Sequence, residues 1–166
     1  LSGDAGIDLL SGGWGRDTLG GGAGLDTLYG GDGDDVFQLA GDKDVIAGGL
    51  GTDTISYLGY SGSILNLTLE ADFSVTTGLR ETVTGVERII GSAQQDFITL
   101  RADGWARGGS GNDQLASGFV LGGGSITTNL VGDDGNDTLS GGRDLGQNLI
   151  NADRFWIQHG NGFDTI

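Results

Sequence analysis

The large apolar residues in the first third of the chain recur at one interval. Cut every nine residues from Gly3, the sequence reads GDAGIDLLS, GGWGRDTLG, GGAGLDTLY, GGDGDDVFQ, LAGDKDVIA and GGLGTDTIS. The eighth position is always large and apolar: Leu10, Leu19, Leu28, Phe37, Ile46 and Ile55. A three-residue strand centred on that position turns its middle side chain to one face and its flanks to the other. The period therefore predicts a stack of short strands around a thin Leu/Ile/Phe core. After Ser56 the register breaks. Ile64 to Leu69 alternates, with Leu65, Leu67 and Leu69 on one face and Asn66 and Thr68 on the other, which predicts a half-buried strand. Phe73 to Thr77 and Thr82 to Val86 also read as strands, punctuated by Gly78 and Gly85. Helical periodicity is absent over any window of about eleven residues, so the expectation is an all-β chain.

The polar positions repeat as strictly as the apolar ones. Position six is Asp in all six copies: Asp8, Asp17, Asp26, Asp35, Asp44 and Asp53. Position four is Gly6, Gly15, Gly24, Gly33 and Gly51, and position two is Gly13, Gly22, Gly31 and Gly49. Glycine there permits the positive φ of a tight loop. In an extended loop, positions two, four and six face one way, so two carbonyls and one carboxylate converge. A second loop stacked above would supply a matching set. About six oxygens of this kind suit Ca²⁺, whereas Zn²⁺ would want His or Cys.

Composition narrows the choice further. The chain holds 36 Gly in 166 residues but no Pro, which excludes collagen. It is too rich in Leu, Ile, Val and Phe for a flexible linker. The acids are nearly all Asp, the residue of tight loops and hard-cation ligation. A net charge of −15 self-repels unless something cationic is bound, and it argues against nucleic acid or an anionic membrane as partner. No apolar run approaches the ~18 residues of a membrane span.

A second block follows, with GGSGNDQLA (Gly108 to Ala116) and GDDGNDTLS (Gly132 to Ser140). It places Asp113 and Asp137 at position six, with Gly109, Gly111 and Gly135 at positions two and four. Residues 91–99 form a degenerate copy with Asp96 at position six and Gln94 in place of the position-four glycine. Gly123 to Val131 has Thr128 where Asp belongs. The pattern G-G-x-G-x-D-x-apolar-x resembles the calcium-binding nonapeptides of repeats-in-toxin (RTX) proteins. That resemblance implies a right-handed parallel β-roll, or β-solenoid, with two copies per turn. It implies two calcium-binding blocks, residues 1–56 and residues 108–166 with a C-terminal cap, joined by a β connector at 57–107. Loops would then stack in the pairs Asp8 with Asp26, Asp17 with Asp35, Asp26 with Asp44, and Asp35 with Asp53, giving about four Ca²⁺ ions. One to three more would use Asp96 with Asp113, Asp113 with Asp137, and Asp153. The fifth copy, which lacks the double glycine and carries Lys43, would give weaker or differently shaped sites. The tail from Ala152 to Ile166 resembles the segment before the secretion signal of type I-exported RTX proteins, implying a secreted origin.

Other chemistries find little support. His159 is the lone histidine, so zinc-protease motifs and His-based triads have no second member. The Gly-rich run at 121–124 is not followed by the Lys-Ser/Thr of a phosphate loop. Trp14 and Tyr29 read as surface residues able to touch a ligand, and Trp105 and Trp156 as core or end-cap residues. The seven arginines are scattered along the chain and define no basic patch. A chain opening on Leu1 with no signal-peptide pattern reads as a monomeric piece of something longer. The expected function is a calcium-dependent folding module rather than an enzyme. The alternative is a calcium-stabilised module that binds polysaccharide or a cell surface.

Overall fold

A computed structural model describes residues 1–39, 42–62, 65–70, 72–77, 79, 81–118, 126–141, 154–156 (backbone) and 165–166. Among the described residues two main sheets, of nine and seven strands, face each other. Among the described residues there is no helix long and apolar enough to cross a membrane.

The nine-residue period sets the register. In the nine-stranded sheet Leu10 pairs with Leu28 and Leu28 with Ile46, all parallel. In the seven-stranded sheet Leu19 pairs with Phe37 and Phe37 with Ile55. Consecutive copies therefore alternate between the two sheets, and one full coil takes two copies. The architecture is the all-β, right-handed parallel β-roll. Position eight turns inward throughout: Leu19, Leu28, Phe37, Ile46 and Ile55 are fully buried. The same column continues upward through Val83 and Ile89 and, in the later coils, through Ile98, Ala106, Leu115, Leu130 and Leu139. The core is one side chain thick per strand, so each strand depends on its neighbours above and below.

Where the repeat breaks, the chain adds strands to one sheet only. Asn66–Leu69 and Val75–Thr77 form an antiparallel pair. Val75–Thr77 is also antiparallel to Thr82–Thr84, which returns to parallel pairing on Val45–Leu50. Leu65, Leu67 and Leu69 are buried while Asn66 is exposed, as the alternation predicts. The opposite sheet takes no extra strand: Arg88–Ile90 pairs directly with Thr54–Ser56 below and Gly104–Ser110 above.

One sequence expectation fails here. Ala106 occupies the inward slot of its strand, in register with Ile89 and Leu130. Its neighbours Trp105 and Arg107 must therefore face outward, so Trp105 is not a core residue but is 39% exposed. The same register sets Arg88 beside Trp105 and Ile90 beside Arg107, so arginines distant in sequence share one sheet face. Trp14 and Tyr29 are exposed, in line with the surface reading. The side chain of Trp156 lies outside the described residues.

Candidate metal centre

The strands of the regular copies are entered through the position-six aspartate, and these residues stack into ladders. The Asp8 amide donates to Oδ1 of Asp26 at 2.9 Å, and the Asp26 amide to Oδ1 of Asp44 at 2.9 Å. On the other edge the Asp17 amide donates to Asp35 and the Asp35 amide to Asp53, each at 2.8 Å. Every link spans 18 residues. The later coils repeat the contact at other spacings: Asp96 to Asp113 across 17 residues and Asp113 to Asp137 across 24, both at 2.8 Å. The aspartates expected to pair are thus brought together in all six cases.

One carboxylate oxygen is consumed by the ladder, and the other is the informative one. Oδ2 of Asp8, Asp17, Asp26, Asp35, Asp53 and Asp113 is buried with no hydrogen-bond partner. A buried carboxylate oxygen without a donor or cation is costly. Oδ2 lies against the first glycine of its own loop: a Cβ built on Gly3 or Gly12 would stand 2.6–2.7 Å from it. The loop backbone supplies more oxygens. Gly22 and Gly24 have φ of 99° and 144°, and Gly31 and Gly33 have φ of 113° and 132°. A side chain at Gly22, Gly24, Gly31 or Gly33 would run into the carbonyl oxygen of Asp4, Gly6, Gly13 or Gly15, one coil below. Gly49 and Gly51 face Gly31 and Gly33 in the same way, Gly109 and Gly111 face Ser92 and Gln94, and Gly135 faces Gly111. Carbonyls at positions two and four therefore point at the loop stacked above. The scaffold imposes this backbone even without glycine: Asp4 and Asp133, at position two, hold φ of 71° and 72°.

Stacked carbonyls, with an unsatisfied carboxylate oxygen in the loops of Asp8, Asp17, Asp26, Asp35, Asp53 and Asp113, form an oxygen cradle. Such a donor set fits a hard cation of the Ca²⁺ type. Among the described residues no three acidic, His or Cys side chains group around one point, so main-chain oxygens would dominate coordination. Electrostatics agree. Burial, against a backbone hydrogen bond that opposes it and aided by neighbouring carboxylates, raises the Asp44 carboxyl. The same balance pushes Asp53 up to about 6 and Asp113 up to about 7. These groups resist carrying charge unless a positive partner is near.

Not every predicted ligand sits in this environment. Both oxygens of Asp96 are satisfied within the protein: Oδ1 accepts the Leu65 amide at 3.2 Å, and Oδ2 the Ser92 amide at 2.6 Å and the Ser92 hydroxyl at 3.0 Å. In the fifth copy Asp42 lends Oδ2 to the Gly24 amide at 3.1 Å. Asp153 lies outside the described residues.

Two acids escaped the repeat search. Glu87 accepts the Asp53 amide at 2.8 Å across 34 residues, taking the place of the next ladder aspartate. Its loop is cut to the three residues between the strands Thr82–Thr84 and Arg88–Ile90, and the longer side chain makes up the reach. Glu81 precedes the strand stacked on Val45–Leu50 and so stands over Asp44. It accepts the Tyr57 hydroxyl at 2.5 Å, and burial pushes its carboxyl up to about 7. The signal available in sequence was an acid followed by x-apolar-x, as in Glu87-Arg88-Ile89-Ile90.

No curated protein matches the chain. The family model of the RTX calcium-binding nonapeptide repeat does, in four copies at residues 1–28, 20–55, 105–119 and 122–144. Those segments cover more than half of the sequence and contain every ladder aspartate except Asp96. The chain belongs to the RTX calcium-binding nonapeptide repeat family and is a calcium-binding repeat module.

Proposed function

We propose that this chain is a calcium-dependent folding module of a secreted bacterial RTX protein, without catalytic activity of its own. The observation that carries the reading is the buried, unpartnered Oδ2 of Asp8, Asp17, Asp26, Asp35, Asp53 and Asp113. In residues 1–56 four ions would lie between the pairs Asp8/Asp26, Asp17/Asp35, Asp26/Asp44 and Asp35/Asp53. Each would be completed by carbonyls at positions two and four: Gly6, Gly13, Gly15, Gly22, Gly24, Gly31, Gly33, Gly49 and Gly51. Residues 108–166 would form the second block, with Asp113, Asp137, Gly109, Gly111 and Gly135 as its ligands. Residues 57–107 would be a connector whose degenerate copy satisfies Asp96 internally.

Bound calcium supplies positive charge and a preference for six to eight oxygens. The chain does the rest. A core one side chain thick cannot offset the backbone entropy of so many glycines. Folding assembles each cradle from two coils, so a cradle exists only in the folded state. Each ion then adds RT ln(1 + [Ca²⁺]/Kd) to stability. With Kd on the order of 10⁻⁴–10⁻³ M, as in extracellular modules, the chain stays loose where calcium is scarce and folds where it is millimolar. Such repeats are typical of secreted bacterial proteins, which supports this route. Chelation is expected to abolish the β circular dichroism signal and added calcium to restore it, with calorimetry counting four or more ions. Full β structure in chelator would overturn the reading.

A further inference from the structure

In the regular gaps the orphaned carboxylate oxygen belongs to the lower aspartate of each pair. A Cβ built on Gly3, Gly12 or Gly30 would meet Oδ2 of Asp8, Asp17 or Asp35 together with a carbonyl oxygen from the coil above, that of Gly21, Gly30 or Gly48. The four ions proposed for residues 1–56 thus account for Oδ2 of Asp8, Asp17, Asp26 and Asp35, and the pair Asp113/Asp137 accounts for that of Asp113. Of these six orphaned oxygens, Asp53 Oδ2 alone is left over, on a side chain that is fully buried. It lies at the top of its edge of the first block, beneath the short loop of Gly85, Val86 and Glu87.

That short loop keeps both ends of a regular one. A Cβ built on Gly48 would meet Asp53 Oδ2 and the carbonyl oxygen of Gly85, so Gly85 stands where the first loop residue belongs. Glu87 Oε2 accepts the Asp53 amide at 2.8 Å, so Glu87 stands where the sixth belongs. Its Oε1 has no hydrogen bond among the described residues. From below, Gly49 and Gly51 bring the position-two and position-four carbonyls, which in the coils beneath point at the loop stacked above. A Cβ on Gly85 would stand 3.9 Å from the Gly49 carbonyl oxygen. What three residues cannot supply is a roof. Gly31 and Gly33 are half-buried under the next loop, whereas Gly49 and Gly51 are exposed and Leu50 between them is 70% exposed.

The gap therefore collects carboxylates from Asp53 and Glu87 and carbonyls from Gly49, Gly51 and Gly85. An all-oxygen set of this kind suits Ca²⁺, which takes about six to eight oxygens, with water filling the open side. Without a cation the two acids repel, and Asp53 Oδ2 stays buried with no donor.

We infer that the gap between Asp53 and Glu87 holds a further Ca²⁺ ion, open to solvent, which ties this edge of the first block to the connector. The inference rests on the calcium reading above and adds to it a ligand from outside the nonapeptides, Glu87.

The test is calorimetric calcium titration of the unaltered chain and of Glu87→Gln, together with an anomalous-scattering map of calcium-loaded crystals of the unaltered chain. Gln keeps an oxygen for the Asp53 amide and gives up the charge. The variant is expected to lose one ion from the count and to keep its calcium-induced β circular dichroism. The map is expected to show a peak between Asp53 and Glu87 beside those of the ladders. An unchanged count in Glu87→Gln, or ladder peaks with none above Asp53, would overturn this inference and leave the calcium-dependent module standing. Ladders without peaks would overturn both. Should Glu87→Gln fail to fold in calcium, the map decides alone.

Discussion

Asp26 and Asp96 occupy the same rung position in the same sheet column, yet they are buried by different means. Both enter a strand, and both receive an amide on Oδ1 from the coil beneath, Asp8 in one case and Leu65 in the other. At Asp26 the second oxygen lies against Gly21, the first residue of its own loop, and has no donor. At Asp96 it meets the amide and hydroxyl of Ser92. A buried carboxylate needs either donors or a cation. In the regular coils a cation would have to take the donor's place, whereas the degenerate coil brings its own donors. One backbone scaffold thus carries a rung whose second oxygen has no donor and a rung whose second oxygen is satisfied by Ser92, the residue at loop position two.

The comparison is most strongly tested at the glycines. Gly33→Ala forces a side chain into the Gly15 carbonyl at φ 132°. It should cost more than about 3 kcal/mol and prevent calcium-induced folding of the first block. Gly20→Ala is its counterpart: the added Cβ meets nothing closer than 3.8 Å, and the calcium titration should be unchanged. Next comes the aspartate pair itself. Asp26→Asn should move the calcium midpoint at least about tenfold and lower the ion count, because Asp26 belongs to two stacked pairs. Asp96→Asn should leave both unaltered, and an equal loss of ions at Asp96 would erase the distinction. The smallest effect is expected for Ser92→Ala, which removes the hydroxyl that donates to Asp96 and accepts the Gln94 amide at 3.0 Å. It should cost about 1–2 kcal/mol in denaturant unfolding, by the same amount at two saturating calcium concentrations.

Much of the regular half was legible from residue order alone. Leu10 to Ile55 declared their inward face by period, and Asp8 to Asp53 their stacking partners once two copies made a coil. Local repetition is sufficient there because every coil sees the same neighbours. The connector was readable only as strands. Its antiparallel insertion into one sheet depends on which edge Val75–Thr77 meets, and no local pattern encodes that. Glu87 and Glu81 were missed because neither falls in the nine-residue frame: a three-residue loop places Glu87 over Asp53, and the pairing of Thr82–Thr84 on Val45–Leu50 places Glu81 over Asp44.

The sequence by itself determined the all-β class, the inward column and the acid-and-glycine loop chemistry. Each of these follows from residue type and interval within a few residues of chain. Tertiary structure decided how the aspartates are buried, because their Oδ1 atoms take amides from coils stacked 17 to 31 residues away, while Asp96 Oδ2 is satisfied by Ser92 of its own folded loop. It also decided that Arg88, Trp105 and Arg107 share one sheet face, since only the parallel register turns a scatter along the chain into neighbours across strands.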